Sequence, residues 1–490
     1  MGAHYYCYSP LASESIRLLS IAPSSSGLYG DLHIELEDHA LDGAKFDALS
    51  YTWGPSTLKE EQECALQIFT AVKLCYPILC RSKIVLVTKS LRDSLRRLRA
   101  LEHDAQFECG YKRRKLPLTW ADGVCINQND KKEKAQQVLL MSRIYSESNL
   151  TFAYLGECLG EDANSVQNAM EVGSELRRMI EDGDSRCSQQ EGNETWEQRD
   201  KKLFRASHWW NWAIFLSRSW FQRTWVLQEI ILSGQEKCFV LCGPELDYLS
   251  TLMWGVFAAR VKRWTTPLQR LLLDTVDENP TYQIYLPRIK DWMRRTHILA
   301  WIGQIWRVDP QPSLLSVTRS LLPQTTCFDP KDKIYGTLGF IADWRDLDQS
   351  ILPVDYLLPT TDVFCRATKH VLSRSKNLDI VCSVPRRTDD TTTLRLPSWC
   401  PDYQQADPQP DTLMAAHATQ DSFCTASGSD TNNFRDFALG VLLTSLLVRG
   451  CFCEILEEHS PMLASPASVD TKSLLKLLLA NVQYCGRAGM

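Results

Sequence analysis

The sequence has no apolar run long enough to cross a bilayer. The longest, Phe437 to Val448, is interrupted by Thr444 and Ser445 and falls short of the ~20 residues that a spanning helix needs. It reads as a buried element, and a membrane partner is not expected. Charge excess is lacking too: a net charge of -5 over 490 residues leaves no footprint for nucleic acid or an anionic surface. Met1 to Pro10 shows no basic stretch followed by an apolar one, and Tyr6 stands where a myristoylation motif wants Ser or Thr. The 18 cysteines include no C-x-x-C pair, and Cys451 and Cys453, the nearest approach to a zinc spacing, have no second pair nearby and read as strand residues. A reduced, cytoplasmic setting with no metal is the expectation, in which the sequons at Asn149 and Asn193 carry no meaning. The P-loop, G-x-G-x-x-G and H-E-x-x-H are all absent, which sets aside NTPase, dehydrogenase and zinc-protease chemistry.

What is present is a globular composition, 44% hydrophobic and 23% charged, on a chain too long for one core. Polar stretches at about 160–202 and at 404–436 read as an insertion and a linker. Before the first, short apolar runs alternate with helical patterns, which is the mark of an α/β sheet covered by helices. Expected strands are Phe46 to Tyr51, Ile84 to Val87, Leu116 to Trp120, Phe152 to Leu155 and Cys238 to Cys242. Ser90 to Leu101 forms a helix with Leu91, Leu95 and Leu98 on one stripe, capped by a Ser90/Asp93 box, its arginines 92, 96, 97 and 99 read as a solvated face. A second helix runs from Asp130 to about Ser146, burying Val138, Met141, Ile144 and Tyr145. From Ile298 the pattern turns to aromatic-rich helix, then a short strand and helix around Val354 to Leu372.

Three segments carry a family resemblance. They are Ala48-Leu49-Ser50-Tyr51-Thr52-Trp53-Gly54; Trp120 through Asp122, Cys125-Ile126-Asn127-Gln128, Glu133 and Gln137-Val138 to Leu155-Gly156; and Arg218-Ser219-Trp220-Phe221-Gln222-Arg223-Thr224-Trp225-Val226-Leu227-Gln228-Glu229. Together they resemble the fungal heterokaryon-incompatibility (HET) domain. Asp329-Pro330-Lys331-Asp332-Lys333-Ile334-Tyr335, Val354-Asp355-Tyr356 and Leu396-Pro397-Ser398-Trp399 resemble segments that follow it in longer members. The implied division is a HET domain at 1–245, a mostly helical region at 246–403, the linker, and a C-terminal segment at 437–490 with some strand, open to being incomplete because longer members continue further. Phe69 to Ser82, Cys-rich and apolar, departs from the family pattern and reads as a variable insertion.

The HET domain is in turn similar to TIR domains, a flavodoxin-like parallel sheet flanked by helices, some of whose members cleave NAD. That resemblance implies Glu229 as the catalytic position and an effector of non-self recognition and programmed cell death that self-associates, with an upstream recognition partner and NAD as substrate rather than cofactor. The residue types suit the chemistry. Cleavage at the nicotinamide ribosidic bond passes through an oxocarbenium-like state, for which a carboxylate is the electrostatic partner, and neutral nicotinamide leaves without a proton. Trp225, at i and i+4 with Glu229, is expected to shape the pocket. Tyr51 and Trp53 follow a strand end where α/β sheets bind ligands, Asp122 suits ribose hydroxyls or a turn cap, and Asn127 lines the pocket or fixes its loop. Glu133 is a rival acid that helix capping explains more simply, and Cys125 is read as packing. The alternative is a noncatalytic module that recruits a death-executing partner.

Overall fold

The computed structural model describes residues 4–23, 28, 30–57, 60–61, 76–101, 118–158, 166–174, 206–253, 265–286, 298–299, 302–303, 305, 312–342, 351–375, 380, 394–397 and 399–404. Chain contacts divide it into one unit of 1–363 with 403–410 and another of 364–402 with 411–490. The polar linker, the C-terminal segment and most of the 160–202 insertion lie outside the described residues.

The first unit is built on a nine-stranded sheet in the order β5-β4-β2-β1-β6-β3-β7-β8-β9. These are Ser15–Ile21 (β1), His33–Ala40 (β2), Phe46–Ser50 (β3), Tyr76–Cys80 (β4), Lys83–Val87 (β5), Leu118–Trp120 (β6), Thr151–Gly156 (β7), Cys238–Cys242 (β8) and Glu245–Tyr248 (β9). β6, β3, β7 and β8 are mutually parallel, and in chain order they lie 2-1-3-4. Every residue of β3, β7 and β8 is buried, as in strands covered on both faces. The expected parallel pairing therefore holds for these four central strands and again between β2 and β4. β1 runs antiparallel to both β2 and β6, and β4/β5 and β8/β9 are antiparallel pairs.

The five expected strands are present. The four that sequence reading missed are mostly flanking ones. In β2 the acidic Glu35 and Glu37 alternate with buried Ile34 and Leu36, so its apolar content is half that of a core strand. The described part of the expected insertion, from Tyr76, is β4 and its turn into β5, a structural hairpin rather than a loose loop.

Lys89–Ala100 (α1), Asp122–Cys125 (α2), Lys131–Glu147 (α3), Ala206–Leu216 (α4) and Val226–Ser233 (α5) accompany the sheet. α1 buries Leu91, Leu95 and Leu98 as expected, but its cap is Thr88, whose hydroxyl accepts from the Leu91 N–H at 3.2 Å. Its arginines are not a solvated face: Arg97 pairs with Glu157, Arg92 and Arg96 with Asp93, and buried Arg99 donates to the carbonyls of Leu28, Gly30 and Asp31. α3 begins as expected at Asp130, whose carboxylate accepts from Lys132 N and Glu133 N. Trp209, Trp210 and Trp212 of α4 are core, with Trp210 stacked on Tyr282 at 4.3 Å and its indole N–H bound to Thr275 Oγ1 at 2.9 Å.

Thr265–Asp274 (α6), Pro280–Tyr285 (α7), Leu314–Ser320 (α8), Asp332–Leu338 (α9) and Thr360–Ser375 (α10) follow. The strand expected near Val354 is absent from the described residues. Tyr356 instead spends its hydroxyl on Asp332 at 2.7 Å. No helix among the described residues is long and apolar enough to cross a membrane.

Candidate functional site

The carboxyl-terminal ends of β3 and β6 deliver the first two motifs to one place. Ser50 is the last residue of β3, and Tyr51, Thr52 and Trp53 leave it. Asp122 opens α2 two residues past the end of β6. The third motif arrives from the other side. A one-turn helix at Ser219–Gln222 buries Trp220, Arg223 follows in extended backbone, and α5 carries Glu229 in its first turn.

Glu229 is 2% exposed. Its carboxylate accepts from the Ser50 hydroxyl, which itself accepts from Trp220 Nε1 at 2.8 Å. Two guanidinium nitrogens of Arg223 lie 3.5 Å from its two oxygens. Burial pushes the Glu229 carboxyl up from its ordinary value, Arg223 and Ser50 pull it back, and the nearby Asp122 charge pushes it further. Burial by itself would lower Arg223, but the charges of Glu229 and Asp122 hold its pKa above the ordinary value. The two form an ion pair in which the cation, 16% exposed, is the more accessible partner.

Asp122 accepts from Trp53 Nε1 at 2.9 Å, so the rim is an indole and a carboxylate, both partly exposed. Its second oxygen, Oδ1, is buried. Tyr51 is buried beside them, and its pKa is raised by desolvation and by the Asp122 charge, with Arg223 opposing. A Cβ at Gly123 would collide with the Tyr51 hydroxyl, which is why the residue after Asp122 carries no side chain. Tyr51, Trp53, Asp122 and Glu229, expected at one site, are thus grouped around Arg223.

Two expected members are elsewhere. The Trp225 indole lies against Gly336 and hydrogen-bonds Asp332 of α9 rather than standing beside the acid. At the start of α5 its backbone carbonyl accepts from Glu229 N at 3.0 Å, while the buried Asp332 supplies the polar partner its ring N–H needs. Asn127 closes its own turn, Oδ1 accepting from Asn129 N at 3.3 Å. Glu133, the rival acid, is fully engaged: Arg17 forks onto both its oxygens at 2.6 and 3.0 Å, and Asn127 N donates to Oε1 at 2.7 Å. Cys125 is 0% exposed, and burial pushes its thiol up to about 12, so a sulfur that solvent does not reach suits packing.

Ser50, Trp220 and Arg223 complete the site and were not singled out from sequence, although all three stand inside the motifs. A fourth contribution comes from far downstream. Arg223 pairs with Thr326 as an isolated parallel bridge, Thr224 N donates to Thr326 O at 2.9 Å, and Thr224 Oγ1 donates to Thr325 Oγ1 at 3.0 Å. Buried Lys333 fixes that strap, its ammonium donating to Leu322 O at 2.7 Å and to Thr325 O. The Asp329-to-Tyr335 motif therefore helps set the position of the Arg223 backbone.

Residues 46–229 match the family described as Heterokaryon incompatibility protein (HET). The chain is also similar to Heterokaryon incompatibility protein 6, OR allele, of Neurospora crassa, with 27% identity over 432 residues, 80% of this chain and 58% of that protein. No solved structure matches. The matched stretch opens at the first residue of β3 and closes on Glu229, so Ser50, Asp122, Arg223 and Glu229 all lie inside the part of this chain that is similar to the HET domain.

Proposed function

We propose that this chain is an effector of non-self recognition in heterokaryon incompatibility, and that on assembly its TIR-like domain kills the cell by hydrolysing NAD at the nicotinamide ribosidic bond. The observation that carries this reading is the grouping of Glu229, Asp122, Tyr51 and Trp53 around Arg223 at the ends of parallel strands. Ligands bind there in open α/β sheets, and the 2-1-3-4 order of β6, β3, β7 and β8 is in keeping with a flavodoxin-like reading. Glu229 faces the ribose and stabilises positive charge as the C1′–N bond breaks with its electron pair going to nicotinamide. Water then adds to C1′ and gives its proton to the same carboxylate, whose raised pKa suits a general base. Arg223 must first leave Glu229, and the dinucleotide phosphates are its natural new partner.

One observation favours the second reading, a noncatalytic module that recruits an executioner. Glu229 already has all the partners a buried structural acid needs in Ser50 and Arg223. Expression of the full chain and of Glu229→Gln in fungal cells separates the two. Under the first, death is preceded by NAD loss and the variant causes neither. Death without NAD loss, or death equally caused by a folded variant, establishes the second.

A further inference from the structure

A pair of cysteines at the neighbouring strand ends has no part in the site just described. Cys242 is the last residue of β8 and is fully buried, while Cys158 stands two residues past the end of β7 and is partly exposed. Their sulfurs are 3.3 Å apart. The sequence makes this approach possible through two glycines with left-handed backbone. Gly156, φ 107°, turns the chain at the end of β7, and Gly243, φ 54°, turns it after Cys242. A Cβ on Gly243 would meet the Cys158 Cβ and Sγ at 3.0 Å and its backbone nitrogen at 3.1 Å, so any larger residue would push Cys158 off its partner. Arg218 holds the same turn from below, donating from Nη1 to Leu155 O at 3.1 Å and to Glu157 O at 3.2 Å, with Nη2 3.9 Å from the Cys158 sulfur.

We infer that Cys158 and Cys242 are a disulfide-forming pair, a modification site at the ends of β7 and β8 that closes when the cell meets a hydroperoxide. The Cys158 thiolate attacks the peroxide, the O–O bond breaks, and the sulfur becomes a sulfenic acid with release of water or an alcohol. The Cys242 sulfur then attacks the Cys158 sulfur and expels water, so two thiols lose two electrons and two protons in all, and the hydroperoxide takes them up. The partly exposed sulfur is the one that meets the oxidant, and the buried one resolves it without diffusing. The hydrogen bond to Cys242 and burial hold the Cys158 proton above the ordinary thiol range, with Arg218 opposing, so the attacking thiolate is scarce near neutral pH and closure, slow there, accelerates as pH rises. The bond ties β7 to β8 across 84 positions of chain and stiffens the turn that Arg218 grips, just ahead of Ser219 and Trp220.

The test is oxidation of the purified full chain with hydrogen peroxide, free thiols blocked before digestion, and peptide mass mapping without reductant. A linked Cys158/Cys242 peptide, lost on reduction and absent from both Cys158→Ser and Cys242→Ala, is expected, with the midpoint of thermal unfolding raised by roughly 5 °C in the linked protein. If exposed Cys7 oxidises while Cys158 and Cys242 remain thiols, or if Cys158 proceeds to sulfinic acid without a link, the inference is overturned. A map in which Cys158 links elsewhere overturns it equally. None of these outcomes depends on whether the chain hydrolyses NAD.

Discussion

Ser50 and Glu229 stand 179 positions apart in the chain, and the serine hydroxyl donates to the glutamate carboxylate while receiving the Trp220 indole N–H. That relay fastens the third motif to the end of the first strand. Replacing Ser50 by Ala removes the donor and orphans a buried indole, so a loss of about 1–3 kcal/mol in urea unfolding is expected. A loss indistinguishable from zero would mean that the relay holds nothing.

Removing Arg223 leaves the Glu229 charge buried and unpaired. Arg223→Met should cost about 3–5 kcal/mol, and adding Glu229→Gln should recover a large part of it. Denaturation of the two single variants and the double variant gives the coupling directly. Strict additivity would show that the pair is not one unit.

The pH dependence has an unusual sign. Folding raises the Glu229 pKa above its ordinary 4.5 and that of buried Asp332 above 3.8, so the folded chain binds these protons more tightly than the unfolded one. Their contribution is therefore fully present at low pH and is lost as pH rises from those ordinary values through the raised ones. Glu229→Gln should flatten that part of a stability-against-pH curve. An unchanged slope would contradict the shift.

The strap from the downstream region predicts action at a distance. Lys333→Met leaves the carbonyls of Leu322 and Thr325 without their ammonium. We expect a loss of about 2–3 kcal/mol and faster hydrogen exchange at the amides of Thr224 and Thr326, which bridge the two segments. Unchanged exchange there would show that the strap does not hold the Arg223 loop.

Much of this was legible in sequence where one physical signal dominates. β3, β7 and β8 are mostly apolar and buried throughout because both faces are covered, and α3 announces itself by Asp130 ahead of its apolar stripe. The flanking β2 was not, since Glu35 and Glu37 dilute its pattern, and the cap of α1 was misread because Ser90 and Thr88 are equally good cap types. At the site, Glu229 and Asp122 could be chosen by residue type. Arg223 was not matched to them, because its six-position offset from Glu229 crosses the start of α5 and fits no helical spacing, and the charge of Asp122, 101 positions earlier, leaves no periodic trace. Trp225 was placed by helical spacing alone, but a side chain at the start of a helix follows its nearest polar partner, and Asp332 lies far downstream.

The most direct measurement is nicotinamide release from NAD by the purified full chain, clustered through a fused oligomer, beside Glu229→Gln at equal folded concentration. The account predicts release by the wild-type assembly and a fall of about 100-fold or more in the variant. No release by the wild type in any clustered form, or equal release by the variant, would contradict it.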